Sequence, residues 1–376
     1  MRKVLSFDDV LLTPQFSNIN SRKDVDTSTK FLGMQLGFPL ISSNMDTITS
    51  VKMCGELAKF GSVGCLHRFQ SIEDNIREFR ESMNTVNQTT TSFESNYPIV
   101  SIGLGRQELK RAKELEFIGA KHFLIDVAHG AASHVVEMYN KLRTILEDEC
   151  YIIVGNFATG QSIKAFNADC MMSNRLPDAY KVGIGGGSHC TTRIVTGCGL
   201  PTFQSILDCS DVGVPIIADG GIRNSGDIVK ALAAGASAVM CGHLLSGTNE
   251  CPGDIIYKQH NNERLFTKEE VYPSRNGQLD MTAEVNIPQY KRYRGSASAE
   301  SYSIQGKTSV HRSPEGEASL VPYKGPVRPI LDQLKAGVQS GMSYIGANNL
   351  DELRKFATFV EISHNGFIES KAHGAK

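Results

Sequence analysis

The sequence lacks several features that would place it in a common class of protein. None of its nine cysteines forms a C-x-x-C pair, which argues against a zinc ribbon or a thioredoxin-like motif. No apolar run approaches the length of a membrane span, and acidic residues follow too soon after Met1 for a signal peptide. The odd number of cysteines favours reduced thiols. We therefore expect a cytoplasmic protein that does not bind membranes.

The sequence also lacks an excess of charge of either sign. Lys and Arg number 39, Asp and Glu number 40, and the formal net charge is −1. This balance gives no support for a surface that binds nucleic acid, although it leaves room for a local anion pocket. No internal repeat or low-complexity tract is present. At 376 residues, the chain is long enough to bury a core without disulfides or metals.

Short apolar runs recur along the chain, with amphipathic stretches between them. Runs such as 152–154 and 216–218 have no polar alternation, which is typical of strands covered on both faces. Helical patterns such as 108–118 and 225–234 separate the runs. This alternation predicts an α/β fold, a (β/α)8 barrel. Its eight strands are predicted at 39–44, 62–67, 97–103, 122–128, 151–156, 179–185, 215–221 and 238–243.

Two segments depart from this rhythm. Residues 1–38 precede the first predicted strand and are expected to form an N-terminal arm along the barrel. Residues 249–325, called the flap below, are rich in Gly, Ser, Lys and Tyr, and long polar stretches of this kind are typically lids or disordered. The helical pattern of 330–360 is expected to close the barrel. We predict a single domain that spans residues 1–376.

Most of the predicted strands end in polar or glycine-containing clusters. Catalytic residues of a (β/α)8 barrel lie at the carboxyl ends of its strands, so these clusters lie where this fold carries its active site. An ordinary turn explains any one cluster about equally well, but it does not explain the whole set. The clusters are 42–46, 67–68, 126–130, 155–156, 183–190, 219–221 and 242–243.

The most informative segment is 183–193, with the sequence GIGGGSHCTTR. Its glycines let the backbone approach a ligand closely and present N–H groups, and Ser188 adds a hydroxyl donor. The segment matches neither a P-loop nor a strict G-x-G-x-x-G motif, and a tight turn is the competing interpretation. Cys190 follows among polar loop residues, unlike most of the other cysteines. Because a thiolate is a strong nucleophile, Cys190 is the candidate catalytic residue.

Two further loops favour a phosphorylated ligand. The sequences DGGIR at 219–223 and MCGH at 240–243 end the seventh and eighth predicted strands. The loops after these strands frequently hold phosphate groups in (β/α)8 barrels. Both the position and the composition of these two loops therefore favour a phosphorylated ligand.

These segments resemble the inosine monophosphate (IMP) dehydrogenase and guanosine monophosphate (GMP) reductase family. The resemblance extends over nearly the whole chain and implies a homotetramer of (β/α)8 barrels. It also implies that a purine nucleotide and a nicotinamide cofactor meet at the cysteine. The residues that carry it lie at 7–12, 42–47, 183–193, 219–223, 293–295 and 321–325.

The resemblance assigns roles residue by residue. Cys190 matches the nucleophile that attacks purine C2, and Thr192 and Glu315 match a pair that activates water or ammonia. His243 departs from the small residue usual at its position and is expected to alter a phosphate contact. The expected substrate contacts are Ser43, Met45, Gly187, Ser188, Asp219, Gly221, Met240, Gly242, His243, Tyr293, Gly295 and Ser296. The residues expected to face the cofactor are Arg68, Asp126, Ala128 and Asn156.

Two further expectations concern ions and charges. The resemblance implies a monovalent cation, such as K⁺, bound by the backbone carbonyl groups of Gly185, Gly187 and Cys190. Arg68 is a candidate partner for the leaving group or for a cofactor phosphate, and an ordinary surface cation is an equally good interpretation. The histidines lack the i,i+4 spacing beside a carboxylate that would favour a catalytic metal.

The two activities of this family differ after a shared purine–cysteine intermediate. The dehydrogenase uses NAD and then hydrolyses the adduct with an Arg-Tyr pair on a mobile flap, whereas the reductase expels ammonia from GMP and uses NADPH. Here 296–314 contains no Arg-Tyr pair, and Arg312 lies too close to Glu315 to replace it. No cystathionine-synthase-type regulatory modules interrupt 68–97. These features favour the reductase, as do reductase-like sequences at 66–70, 125–130 and 295–298.

Other segments favour the dehydrogenase, which remains the alternative. Residues 192–201, 341–346 and 366–370 are similar to dehydrogenase sequences, and the stretch 259–290 is longer than either enzyme normally has. A nucleotide-binding barrel without activity is a further hypothesis. The joint presence of Cys190, Thr192 and Glu315 argues against it. A flavin-dependent barrel would be revealed by a yellow colour.

Overall fold

The computed structural model describes residues 2–89, 97–170, 175–258, 264–272, 274–275, 278–279, 287–304 and 313–371. Three short strands come first, β1 (Val10–Leu12), β2 (Thr29–Phe31) and β3 (Met34–Leu36). Eight parallel strands then form a closed barrel in which each strand pairs with the next and the last pairs with the first. They are β4 (Leu40–Ser42), β5 (Val63–Leu66), β6 (Ile99–Ile102), β7 (His122–Asp126), β8 (Tyr151–Phe157), β9 (Ala179–Val182), β10 (Ile216–Asp219) and β11 (Ala238–Cys241). Each lies within or overlaps a predicted run, so the predicted (β/α)8 barrel is confirmed.

Helices cover the outside of the barrel, as the amphipathic stretches predict. Side-chain caps fix where several of them begin: Ser50 accepts a hydrogen bond from the Met53 N–H, and Asn224 accepts one from the Asp227 N–H. The predicted helices at 108–118 and 225–234 are confirmed within two residues. The helices are α1 (Val51–Lys59), α2 (Ile72–Thr89), α3 (Arg106–Phe117), α4 (Ser133–Ile145), α5 (Gly160–Asp169), α6 (Thr192–Thr196), α7 (Thr202–Cys209) and α8 (Ser225–Ala233).

Buried apolar side chains lie on both sides of the barrel wall. In β4, for example, Leu40 belongs to the large core cluster that packs with the helices, whereas Ile41 belongs to the cluster inside the barrel. Both side chains are fully buried. This two-sided burial explains why the strand sequences show no polar alternation.

The N-terminal arm does more than lie along the barrel. The β2–β3 hairpin turns at Leu32 and Gly33, both with positive φ, and its Phe31 and Leu36 join the cluster inside the barrel. Because this hairpin leads directly into β4, it covers the end of the barrel opposite the carboxyl ends of the strands. The arm also contributes β1, which pairs antiparallel with β17 (Phe359–Glu361).

The flap contains regular structure that its composition does not predict. Strands β12 (Ile256–Tyr257), β15 (Gln289–Arg294) and β16 (Ala318–Pro322) form an antiparallel sheet, and β13 (Ser274–Arg275) pairs with β14 (Gln278–Leu279). Two short helices, α9 (Lys268–Val271) and α10 (Ala299–Ile304), accompany them. The expectation of disorder is wrong for the sheet, whereas a role of the flap as a lid stays a prediction. Arg312 lies outside the described residues.

The C-terminal region is helical over most of the predicted range. It contains α11 (Arg328–Ile345), α12 (Leu350–Phe356) and α13 (His364–Glu369). The pattern at 330–360 is interrupted at Gly346, which has a positive φ, and it ends in β17. Contrary to expectation, the β11–β4 pair closes the barrel, while α11 packs against α8 outside it.

No helix in the described ranges is long and apolar enough to cross a membrane.

Candidate active site

A cleft at the carboxyl ends of the barrel strands brings together most of the predicted site residues. Its cavity volume is about 420 Å³, which is within the range of small-molecule sites. Barrel loops form most of its wall, and flap residues form the remainder. The predicted residues that line it are Ser43, Met45, Arg68, Asp126, Ala128, Asn156, Gly185, Gly187, Ser188, Cys190, Thr192, Asp219, Met240, Tyr293, Gly295, Ser296 and Glu315.

Three predicted substrate contacts do not line this cavity but lie close behind its wall. A Cβ on Gly242 would come within 3.1 Å of Ser43 Oγ, and one on Gly221 would lie 3.5 Å from the Gly186 carbonyl oxygen. The imidazole of His243 lies with its centroid 5.5 Å from that of the Tyr293 ring. Their contact with a nucleotide phosphate stays a prediction.

The glycine loop after β9 packs tightly against the loop after β10. A Cβ on Gly183 would lie 2.0 Å from the Asp219 carbonyl oxygen, and one on Gly186 would lie 2.3 Å from Thr202 Oγ1. Gly183 also has a φ of 139°, which disfavours any other residue. Side chains are therefore excluded from the contact, and the backbone of the glycine loop lies beside that of the predicted phosphate loop at 219–223.

Cys190 lies at the end of this loop and is partly exposed to the cavity. Its Sγ atom lies 3.1 Å from Thr192 Oγ1, within hydrogen-bond distance, and its N–H donates to the Gly187 carbonyl at 3.1 Å. The remaining cysteines are buried, except for Cys198. Cys190 is thus the cysteine that combines access to the cavity with a hydroxyl partner.

Backbone hydrogen bonds hold Glu315, a flap residue, beside the loop that contains Cys190. The Thr191 N–H donates to the Glu315 carbonyl, and the Glu315 N–H donates to the Ala297 carbonyl, at 2.9 and 3.0 Å. The next residue, Gly316, is held between the two segments, where a Cβ would lie 3.3 Å from the His189 carbonyl oxygen. Glu315 therefore lines the same cavity as Cys190, although the two are far apart in sequence.

A buried charge network lies at the base of the cavity, and sequence reasoning missed its central residue. Lys181 Nζ lies 2.9 Å from Asp126 Oδ1 and 2.6 Å from Asp219 Oδ2. Asn156 Nδ2 donates to the same Asp219 oxygen at 2.9 Å. The signal in the sequence is a lysine inside the apolar run 179–182, since a charged residue in a buried strand requires a partner.

Charge interactions determine the ionisation of this network. Burial opposes the charge on Asp126, but the Lys181 and Arg68 charges outweigh it and hold the pKa of this carboxyl below its usual value. Burial also opposes the charge on Lys181, and the two aspartates more than reverse the effect, so the pKa of Lys181 is raised. Lys181 and Asp126 are therefore both charged at neutral pH.

Arg68 presents an unsatisfied donor in the cavity wall. Its Nε is buried and has no hydrogen-bond partner among the described residues, while its guanidinium lies over the Phe69 ring at 4.9 Å. A buried donor without a partner is costly, so a ligand acceptor at this point would stabilise it. This observation favours a ligand-binding role for Arg68 over that of an ordinary surface cation.

His189 of the glycine loop clusters with Tyr293 and His243. The His189 ring lies 4.5 Å from the Tyr293 ring and 6.1 Å from the His243 ring, measured between centroids. His189 Nε2 and Ser319 Oγ lie 2.6 Å apart. Burial lowers the pKa of both histidines, and the Lys324 charge lowers that of His243 further. Both imidazoles are therefore neutral at pH 7, and sequence reasoning did not identify His189 as part of the site.

An ion-pair cluster joins the flap to the barrel. Arg294 Nη2 lies 2.6 Å from Asp46 Oδ2, and Arg294 Nη1 lies 2.9 Å from Glu300 Oε1. Arg294 and Asp46 are mostly buried, with side-chain exposures of 14% and 11%. The cluster connects the loop that contains Met45 to the flap segment that contains Gly295, so it aligns two walls of the cavity.

Comparison with known proteins agrees with this arrangement. The model of the IMP dehydrogenase / GMP reductase domain matches residues 4–269 and 278–373. The inosine-5'-monophosphate dehydrogenase of Cryptosporidium parvum is 34% identical over 408 residues, covering 99% of this chain and 95% of that protein. The GMP reductase of Buchnera aphidicola subsp. Acyrthosiphon pisum (strain Tuc7) is 32% identical over 370 residues, covering 96% and 94%. Both activities thus occur among relatives at similar identity.

Solved structures include a similar chain with a bound nucleotide. The C318A variant of GMP reductase from Trypanosoma brucei, in complex with guanosine 5'-monophosphate, superimposes with a TM-score of 0.82 at 26% identity. The match covers 100% of this chain and 99% of that one. The similarity therefore includes the flap and both terminal regions as well as the barrel.

Proposed function

The chain belongs to the IMP dehydrogenase / GMP reductase family, and from this premise we propose that it is a GMP reductase. In this proposal it converts GMP into IMP and ammonia with NADPH. The observation that carries the proposal is the flap: Cys190, Thr192 and Glu315 share one cavity, but residues 296–314 contain no Arg-Tyr pair to activate water. The site thus contains the residues for covalent catalysis but lacks, in residues 296–314, the Arg-Tyr pair that would activate water for hydrolysis.

The first steps need only the protein and the nucleotide. Cys190 Sγ forms a bond to purine C2, which is electron-poor but carries a poor leaving group. Thr192 and Glu315 relay a proton to the exocyclic amino group, so that the C2–N bond breaks and ammonia departs instead of an amide ion. The 3.1 Å separation of Cys190 Sγ and Thr192 Oγ1 supports this relay. Covalent catalysis divides one difficult substitution into two easier steps.

One wall of the cavity fits a nicotinamide cofactor. Arg68 offers a buried donor without a partner in the described chain, and Asp126, Ala128 and Asn156 line the same cavity. When bound, the reduced nicotinamide supplies the hydride that replaces the amino group at C2. Cys190 then leaves as a thiolate. Overall, GMP, NADPH and one proton give IMP, NADP⁺ and ammonia.

Absorbance of the reduced nicotinamide tests the proposal in two parallel reactions. One contains the enzyme with GMP and NADPH, and the other contains the enzyme with IMP and NAD. We expect absorbance to fall in the first and to stay constant in the second. A rise in the second reaction alone would identify a dehydrogenase and contradict the proposal.

IMP dehydrogenase is the second candidate, because of specific sequence features. Residues 192–201 are similar to dehydrogenase sequences, and the Cryptosporidium parvum dehydrogenase matches slightly better than the Buchnera reductase. In that case Thr192 and Glu315 would activate water without an arginine. The tetramer and the K⁺ site bound by Gly185, Gly187 and Cys190 stay predictions under either activity.

A further inference from the structure

A single ammonium group joins two carboxylates that face different ligands. Lys181 lies in β9, and its Nζ binds both Asp126 at the end of β7 and Asp219 at the end of β10. Under the proposed function, on which this inference rests, Asp126 faces the cofactor and Asp219 contacts the nucleotide, at the ribose according to the family resemblance. Neither aspartate forms another ion pair within the described residues. The two ligand sites therefore share one charge.

The hydrogen bonds leave one oxygen of Asp219 open to a ligand. Lys181 and Asn156 both donate to Asp219 Oδ2, at 2.6 and 2.9 Å. No described residue donates to Asp219 Oδ1, which leaves it for a ribose hydroxyl. The protein thus fixes the orientation of this carboxylate through Oδ2, while Oδ1 keeps its capacity to accept a hydrogen bond.

The packing around Lys181 confines its ammonium group to this place. Its side chain is 4% exposed. A Cβ on Gly155 of β8 would lie 2.4 Å from the Lys181 Cβ, so the glycine provides the space for the lysine side chain. The other charged group that acts on Asp126 is Arg68, which follows β5. A small shift of Nζ toward one aspartate is therefore a shift away from the other.

We propose that Lys181 is a positioning residue that couples nucleotide binding to cofactor binding. When a ribose hydroxyl donates to Asp219, it neutralises part of that negative charge, and Lys181 moves toward Asp126. Asp126 is then held more firmly in the orientation that receives the cofactor. The coupling is positive, and by thermodynamic linkage each ligand raises the affinity for the other by the same factor.

Calorimetric titration tests this coupling without any turnover. All variants carry Cys190→Ala, so that GMP and NADPH bind without reacting, and GMP is titrated with and without saturating NADPH. We expect NADPH to lower the GMP Kd by roughly 5-fold or more with Lys181 present. In Lys181→Met the ratio falls to about 1, while Lys181→Arg, which keeps a charge able to bridge both carboxylates, retains most of it.

A second lysine provides the matched control. Lys230 of α8 is partly buried and donates to the Phe7 carbonyl at 2.8 Å, away from the cavity. Lys230→Met should leave the coupling ratio unchanged. If Lys181→Met weakens both ligands but keeps the ratio of the parent protein, Lys181 is merely structural and the proposal is overturned.

One more variant keeps the inference testable if Lys181→Met does not fold. Asp126→Asn leaves the ammonium to Asp219 alone, where it neutralises more of the carboxylate charge and makes Oδ1 a weaker acceptor for the ribose hydroxyl. GMP binding without cofactor should therefore weaken several-fold. An unchanged GMP Kd would overturn the coupling. Parallel titrations with IMP and NAD test the coupling independently of the proposed activity. If the protein is a dehydrogenase, the coupling should appear with IMP and NAD instead of GMP and NADPH.

Discussion

The barrel and the flap position their functional residues in different ways. Cys190, Asp126 and Asp219 are fixed by short buried strands and by loops in which glycines leave no space for side chains. Glu315 instead reaches the cavity because a strand-like flap segment pairs with the cysteine loop. Under the proposed function, the barrel carries the covalent chemistry that both activities of the family share. The flap carries the step that separates them.

The largest expected effect is on the barrel side of this comparison. Replacing the nucleophile in Cys190→Ala should reduce turnover by on the order of 10⁴-fold or more, because the covalent route is lost. GMP binding, measured by calorimetry, should persist, since the phosphate loops are unchanged. Cys198→Ala, at the other exposed cysteine, is the control and should retain full activity. Near-normal turnover in Cys190→Ala would remove the cysteine from the mechanism.

The flap side should show a smaller effect that is confined to chemistry. Glu315→Gln removes the proposed proton relay and should lower kcat by roughly 10²- to 10³-fold with little change in the KM for GMP. Steady-state kinetics with GMP and NADPH measure both constants. Glu317→Gln is the matched control, because this exposed carboxylate is two residues away on the same segment. Equal losses in the two variants would mean that the carboxylate of Glu315 has no specific role.

A third change acts on the end of the barrel away from the cavity. Leu36→Ala in the β2–β3 hairpin deletes a fully buried side chain and should lower the free energy of unfolding by about 3 kcal/mol. Denaturant unfolding measures the loss, and the KM for GMP should stay unchanged. A large rise in KM would show that this end of the barrel and the cavity are not independent.

The smallest effect is expected at the edge of the site. His243→Ser replaces an exposed histidine with a small residue of the kind expected from the family. Because His243 lies behind the cavity wall, we expect its influence on the predicted phosphate contact to be indirect, and the Kd for GMP should change by no more than roughly 2-fold. Calorimetry measures the change. A loss of affinity of tenfold or more would instead place the imidazole in direct contact with the phosphate.

The barrel could be predicted from the sequence because its strands are buried on both faces. Each apolar run maps onto a strand, and most of the polar clusters at the run ends come together in one cleft. The β2–β3 hairpin could not be predicted from the sequence. Its apolar residues pack inside the barrel against strands that are far away in the chain, and no local pattern indicates this contact. The flap sheet was missed for a related reason: its pairing partners lie far apart in the chain, and its strands carry polar residues.

Individual site residues were predictable only where a motif contained them. Glu315 and Thr192 were found through the resemblance, and the backbone pairing that brings Glu315 to Cys190 leaves no local signal. Lys181 was missed although a lysine within an apolar strand is unusual. Its role depends on two aspartates from other strands, and such a long-range arrangement becomes visible only in three dimensions.

The pairing of β1 with β17 has a consequence for folding during synthesis. Val10 pairs with Glu361, so β1, the first strand among the described residues, cannot pair before β17 has been synthesised. Until Glu361 has left the ribosome, β1 has no partner strand, although all eight barrel strands, β4 to β11, have already been synthesised. β1 and β17 therefore pair only after the strands and loops that form the cavity have been synthesised.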